Sequence, residues 1–336
     1  MKFLGLKKYF NSVEKAYLAD KKELESVLGF KLAEKFIEFR RKFDPKKELE
    51  KLNKNGITVL AVDGEDYPES LKNISDSPIC IYIKSSTPKF FSGKQTYFAI
   101  VGTRKPTSYG TQIAYKFSRE LTEAGFIIVS GMAMGIDTIA HQAALDAGGK
   151  TIAVLGCGVN IIYPAINRQL YQNIIKTGGA VISEFPPNQT VLKGLFISRN
   201  RIISGLSRGI LIVEGGEFSG ALITAKYAGI QGKDVFAVPS PINSDMSRAP
   251  NLLIKEGAKL VTTVEDIYEE FDMKITPRGK EDILEKLIEI EKLVFDILQK
   301  NPETIDDLAI KLGKTVSEVL NTISVLEIGG VVEKNL

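Results

Sequence analysis

Between residues 97 and 240, six short and nearly continuous apolar runs, "YFAIVG", "FIIVSG", "TIAVLG", "AVISE", "GILIVEGG" and "DVFAVPS", alternate with segments of helical periodicity. A strand with no polar face has to be covered on both sides, and a helix between successive strands supplies that cover. The pattern therefore predicts an α/β chain built on a Rossmann-like doubly wound parallel sheet. Helices are expected near 110–124, 136–146, 167–176, around Asn200 and over 219–230.

The flanks differ from this centre. Residues 1–55 carry helical spacing broken by the glycine of "LGF", as in a helix-hairpin-helix or related small bundle, with fifteen Lys and Arg against nine acids. Residues 56–270 form the extended Rossmann-like domain, entered through the strand-like runs "ITVLAV" and "CIYIK", which read as a connection. Residues 281–336 read as helix, turn, helix and a short strand pair, a winged helix, with Thr304 and Thr315 as N-caps and Asp307 and Glu318 in capping-box position. That tail has six Lys, no Arg and twelve acids, so it makes a poor phosphate binder and is expected to serve protein contacts or packing. The basic head suits a polyanion or is simply a solvated face.

Ligands of open α/β sheets bind at the carboxyl ends of the strands, which singles out four loops. In the first, Gly102 and Thr103 are followed at once by Arg104 and Lys105. In the second, Ser130, Gly131, Met132 and Gly135 precede a helix start, where backbone amides suit an anion, although βα turns also use glycine for geometry alone. The third, "VLGCGVNIIYP", has G-x-G without the third glycine of a dinucleotide fingerprint, which argues against a dehydrogenase. The fourth places Gly215, Gly216, Ser219 and Gly220 before a helix, downstream of Lys193, Phe196, Arg199, Asn200, Arg201 and Arg208. Basic residues beside an exposed ring suit single-stranded nucleic acid. Equally, Phe196 is core and the arginines pair with acids at the sheet edge.

The blocks "IVGTRKPTSYG", "IVSGMAMGIDTIAHQAAL", "TIAVLGCGVNIIYPAINRQLY", "ISEFPP", "FISRNRIISGLSRGILIVEGGEFSGALITAK" and "SRAPNLLIKEGAKLV" occur in that order, over roughly residues 97 to 262. Together they resemble the DNA-processing protein DprA (Smf) family. The resemblance implies a recombination mediator that binds single-stranded DNA without sequence preference. It also implies loading of the RecA recombinase, displacement of single-strand-binding protein, a homodimer, and no catalysis or cofactor. By motif, Arg104 would hold phosphate, the Gly131 loop would supply amides, Lys193 with Phe196 would grip phosphate and stack a base, and Arg199, Asn200 and Arg201 would line the same groove. The family commonly has serine where Thr103 stands.

Other classes fit less well. A phosphoribohydrolase of the cytokinin-activating LOG type is the alternative, but where its glutamate would fall stand the apolar Ala221 to Ile223. Asp137, Ser130 and His141 lack a nucleophile elbow and read as capping or packing. Cys80 and Cys157 sit in apolar runs without metal-ligand spacing, so buried thiols are expected and no metal site. With no long apolar run and no signal-peptide pattern, the protein is expected in the cytoplasm.

Overall fold

The structure is a computed structural model that describes residues 2–273, 289–300, 304–316, 318–320 and 322–323. Among them, nine strands form one sheet: β1 (Ile57–Ala61), β2 (Cys80–Ser85), β3 (Thr96–Val101), β4 (Phe126–Ser130), β5 (Thr151–Val154), β6 (Ala180–Ser183), β7 (Gly209–Ile212), β8 (Asp234–Ala237) and β9 (Lys259–Leu260). Their order is β1-β2-β6-β5-β4-β3-β7-β8-β9. The strands from β6 across to β9 are parallel.

Strands β3 to β8 are the six apolar runs, and helices Ser108–Glu123, Ile136–Asp146, Arg168–Lys176, Lys193–Leu206 and Gly220–Ile230 fill the intervals between them. Successive residues of β3 serve opposite layers, as the two-residue period of a strand requires. Ala99 and Val101 pack with Ile202, Ile203 and Ala225 on one face. Phe98 and Ile100 pack with Phe117, Leu121 and Ala140 on the other. Each large side chain so buried contributes roughly 1.5–3 kcal/mol, which makes this double cover the main source of stability.

The sheet is not wholly parallel. The runs read as a connection, β1 and β2, are strands of the sheet itself and extend its β6 edge antiparallel. In β2, which lies between β1 and β6, one face is buried and the other partly open: Ile81 and Ile83 are buried, while their neighbours Tyr82 and Lys84 are half-buried.

Residues 2–54 hold five helices. Asp20 closes a capping box with Glu23, and Gly29, at φ 78°, separates Lys21–Leu28 from Phe30–Lys42 as the sequence suggests. Towards the carboxyl end, helices Glu289–Lys300 and Ile305–Leu312 are present, and Val294, Leu308, Val319 and Ile323 pack together. Thr304 accepts the Asp307 amide at 3.3 Å, and Thr315 exchanges bonds with Glu318 at 2.9 and 3.3 Å. The strand pair expected to complete a winged helix lies outside the described residues.

Strand β3 has β4 on one side and β7 on the other. Strand order reverses there, so the carboxyl ends of β3, β4 and β7 open into the crevice where such sheets bind ligands.

Candidate nucleic-acid interface

Three loops at this crevice are interlocked through positions where a side chain has no room. A Cβ on Gly102 would meet Ile136 Cγ1 at 2.6 Å and the Glu214 carbonyl at 2.9 Å. The Thr103 amide donates to that carbonyl at 2.8 Å, and the Thr103 carbonyl accepts from the Ile136 amide at 3.1 Å. Gly135, at φ 82°, passes so close that a Cβ would sit 2.4 Å from the Thr103 oxygen. The buried Glu214 carboxylate accepts the Thr107 amide at 2.9 Å and its hydroxyl at 2.6 Å. The first loop is thus pinned at both ends, and Arg104 and Lys105 are held out at its tip, exposed and without an acidic partner among the described residues. The Thr103 hydroxyl accepts the Lys105 amide at 3.2 Å, a bond that serine would also make.

The second loop departs from expectation. Its amides do not face an open anion site: Asp137 Oδ2 accepts both Gly131 N–H at 3.1 Å and Ala133 N–H at 3.2 Å. A carboxylate from the first turn of the following helix fills the nest expected to hold phosphate. Met132 is also no surface contact, since its side chain is buried against Leu155 and Leu170. Ser130 is buried and donates to the Ile100 carbonyl at 2.7 Å. Gly131 is there for space, because a Cβ would lie 2.6 Å from both Arg199 Nη2 and Asp137 Oδ2.

His141 is wholly buried with Nδ1 2.7 Å from the Thr151 hydroxyl. That hydroxyl spends its single proton on the Ile128 carbonyl at 2.6 Å, so Nδ1 carries the imidazole proton and Nε2 is a buried acceptor with no partner among the described residues. Burial lowers its pKa to about 3. Packing, not a catalytic triad, accounts for Ser130, Asp137 and His141.

Helix Lys193–Leu206 separates the clustered cations. Residues i and i+2 of a helix point to different sides. Arg199 turns inward to the crevice wall, where its guanidinium donates to the Gly131 carbonyl at 2.7 Å and to that of Val154. Burial lowers its pKa to about 10, with the nearby Asp137 opposing the shift and Arg104 adding to it. Arg201 does not line that groove. It is buried on the other side, paired with Glu184 at 2.5 Å and Asp76 at 3.0 Å. Arg208 lies over the Phe271 ring at 4.1 Å and donates to the Phe271 carbonyl, a packing role. Lys193, in the first turn, is exposed and unpaired among the described residues, and Asn200 bridges to the Gly220 carbonyl at 3.4 Å.

The fourth loop is knitted into the chain that follows. Gly215 is buried; its amide donates to the Met246 carbonyl at 2.7 Å and its carbonyl accepts from Ala249 at 2.8 Å. It is therefore not offered to a ligand. Ser219 caps helix Gly220–Ile230, and Gly216 and Gly220 remain partly or fully exposed.

What the fold brings together is a narrow wall formed by Arg104, Gly131, Met134, Tyr163, Phe196 and Arg199. The space between them is about 30 Å³, room for a water but not for a base. Phe196 is half-buried, its ring 5.5 Å from that of Tyr163, which is 43% exposed. Its backbone rests on Gly156, where a Cβ would come within 3.0 Å of Phe196 Cα, so the third loop's G-x-G serves packing. Sequence reading missed Tyr163; its signal was the tyrosine of "NIIYP", at the end of the third strand-end loop.

Fold and site together define a doubly wound α/β protein whose switch-point crevice carries exposed cations beside half-exposed rings. A family model for DNA recombination-mediator protein A matches residues 58–272, and the chain belongs to that family. Protein Smf of Synechocystis sp. is 33% identical over 98% of this chain and 92% of its own, and Protein Smf of Escherichia coli is 36% identical over 90% and 82%. Among solved structures, DNA processing protein A of Streptococcus pneumoniae superimposes with a TM-score of 0.70 at 35% identity, covering 80% of this chain and 92% of that one. That of Helicobacter pylori, a structure described for its single-stranded DNA binding mode, gives 0.57 at 30% identity over 64% and 95%.

Proposed function

We propose that this protein is a non-catalytic mediator that binds single-stranded DNA at the wall formed by the loops after β3, β4 and β5 and delivers the strand to a RecA-type recombinase, displacing single-strand-binding protein. The observation that carries this reading is the exposed Arg104, without an acidic partner among the described residues, on one wall with the rings of Phe196 and Tyr163, with exposed Lys105 beside it in sequence and exposed Lys193 one helical turn before Phe196. Cations neutralise phosphates regardless of sequence, and rings stack on any base. Because the gap between the rings holds no base, bases stack on the outer, exposed side of the rings, with phosphates towards Arg104.

The role needs no cofactor and no reaction, and the acid of a phosphoribohydrolase has no counterpart at Ala221 to Ile223. A homodimer through the segment from Leu222 to Ile254, where Leu252 is exposed, would line up two grooves on one strand. A cytoplasmic setting suits this work, and no helix among the described residues is long and apolar enough to cross a membrane.

The test is fluorescence anisotropy with labelled oligothymidylate and a duplex of equal length across a salt series, using wild type and Arg104→Ala. Salt-sensitive binding to the single strand that Arg104→Ala weakens supports the reading. Failure to bind oligothymidylate at moderate salt rejects it.

A further inference from the structure

The crevice leaves the basic head of the chain without a role. Helices Lys21–Leu28 and Phe30–Lys42 form a cleft of about 670 Å³ lined by Lys21, Lys31, Glu34, Lys35, Glu38 and Arg41. Glu34 is held by Lys21 at 3.2 Å, and Lys21 also lies 3.7 Å from Glu25. Lys31, Lys35 and Arg41 are exposed, and no hydrogen bond or ion pair engages them among the described residues. Glu38 is the acid that remains to oppose them. Elsewhere in the head Asp44 is paired with Lys47 and Glu48 with Lys51, while Asp20 and Glu23 serve a capping box. The open charge of this surface is therefore positive and concentrated along one helix.

We propose that this cleft is a second nucleic-acid site, separate from the crevice, that takes the phosphate backbone of duplex DNA. From Lys31 to Arg41 the helix rises about 15 Å, a length that follows four base pairs of duplex axis. The rings nearby favour a duplex over a single strand. Phe30 is 60% exposed, but Lys21 Nζ lies over its ring at 5.1 Å, and the Phe39 ring is stacked on Phe43 at 4.6 Å. With one face of each ring taken by the protein's own groups the stacking platform for an unstacked base is halved, whereas phosphate contacts need only the open cations. A protein with both sites holds a single strand and a duplex at once, the two substrates that strand pairing must bring together. The inference stands on the head's own residues and does not require the crevice to bind DNA.

The full-length protein is compared with the exposed-site variants Lys31→Glu/Lys35→Glu/Arg41→Glu and Lys31→Gln/Lys35→Gln/Arg41→Gln, with folding checked by circular dichroism. Binding to a 30-base-pair duplex and to oligothymidylate is followed across a salt series. The expected result is at least a tenfold loss of duplex affinity, larger for Glu than for Gln. The slope of log affinity against log salt should flatten by about 0.9 per cation removed, and oligothymidylate binding should stay within twofold. Arg104→Ala should do the reverse. Unchanged duplex binding in both variants, no duplex binding by wild type at moderate salt, or equal losses on both DNAs overturns the proposal. Duplex binding that the variants abolish, in a protein that ignores oligothymidylate, upholds it while rejecting the crevice reading.

Discussion

Asp137 Oδ2 accepts the amide of Gly131 from across the second loop at 3.1 Å, and in doing so closes an anion nest with the chain's own carboxylate. The same carboxylate is the near counter-charge to the buried Arg199, and burial pushes its pKa up while Arg199 and the two amides pull it down. Asp137→Asn keeps the shape and removes the charge. Leaving Arg199 buried without compensation should cost about 3 kcal/mol, read as a lower urea midpoint at pH 7.5. An unchanged midpoint would show that Arg199 is satisfied by the Gly131 and Val154 carbonyls alone.

Two arginines of neighbouring motifs should separate by what they break. Arg104→Ala should leave the urea midpoint in place, since the side chain makes no hydrogen bond or ion pair among the described residues, and should flatten the salt dependence of oligothymidylate binding by about 0.7. Arg201→Ala should strand the half-buried Glu184 and cost about 3 kcal/mol of stability. A double change to apolar residues at Arg201 and Glu184 should recover most of it. Loss of DNA affinity without loss of stability in Arg201→Ala would put that guanidinium in the groove after all.

Tyr163→Ala should weaken oligothymidylate binding by about 1–3 kcal/mol, the worth of one stacked base, with no change in salt slope. Tyr163→Phe should bind like wild type. If the Phe variant is as weak as Ala, the hydroxyl and not the ring makes the contact.

His141 predicts a pH dependence. Its folded pKa, about 3, lies below the unfolded value of about 6.5. The unfolded chain therefore takes up the proton first, and the contribution of the neutral ring, complete above about pH 6.5, is lost as pH falls towards 3. Between pH 6.5 and 5 wild type should lose up to about 1.4 kcal/mol per pH unit from this residue. His141→Gln, compared by urea titration at pH 8, 6.5 and 5, should lack that component of the slope. Parallel slopes in the two proteins would mean that other groups carry it.

The sheet was legible because its signal is local: an apolar run flanked by helical periodicity has few other ways to bury itself, and β3 to β8 with their helices emerge where the runs stand. The antiparallel strands β1 and β2 were less so, since they join the sheet through the pairing of β2 with β6, a contact between segments about a hundred residues apart. At the site, Arg104 and Lys105 could be read directly, because a loop tip after a strand end is exposed by its place in the fold.

The sequence by itself determined the layer architecture, the crevice at the strand ends and the cations available to it. Tertiary structure alone decided which of them face solvent. In "SRNR" Arg199 and Arg201 have the same chemistry and differ by two positions, yet helical geometry sends one to the crevice wall and the other to Glu184. In "SGMAMGID" the amides that suit phosphate are matched by a carboxylate four to six residues away, and only the turn of the loop brings Asp137 onto them. Side-chain direction and hydrogen-bond partnership are properties of packed neighbours, which no run of residues contains.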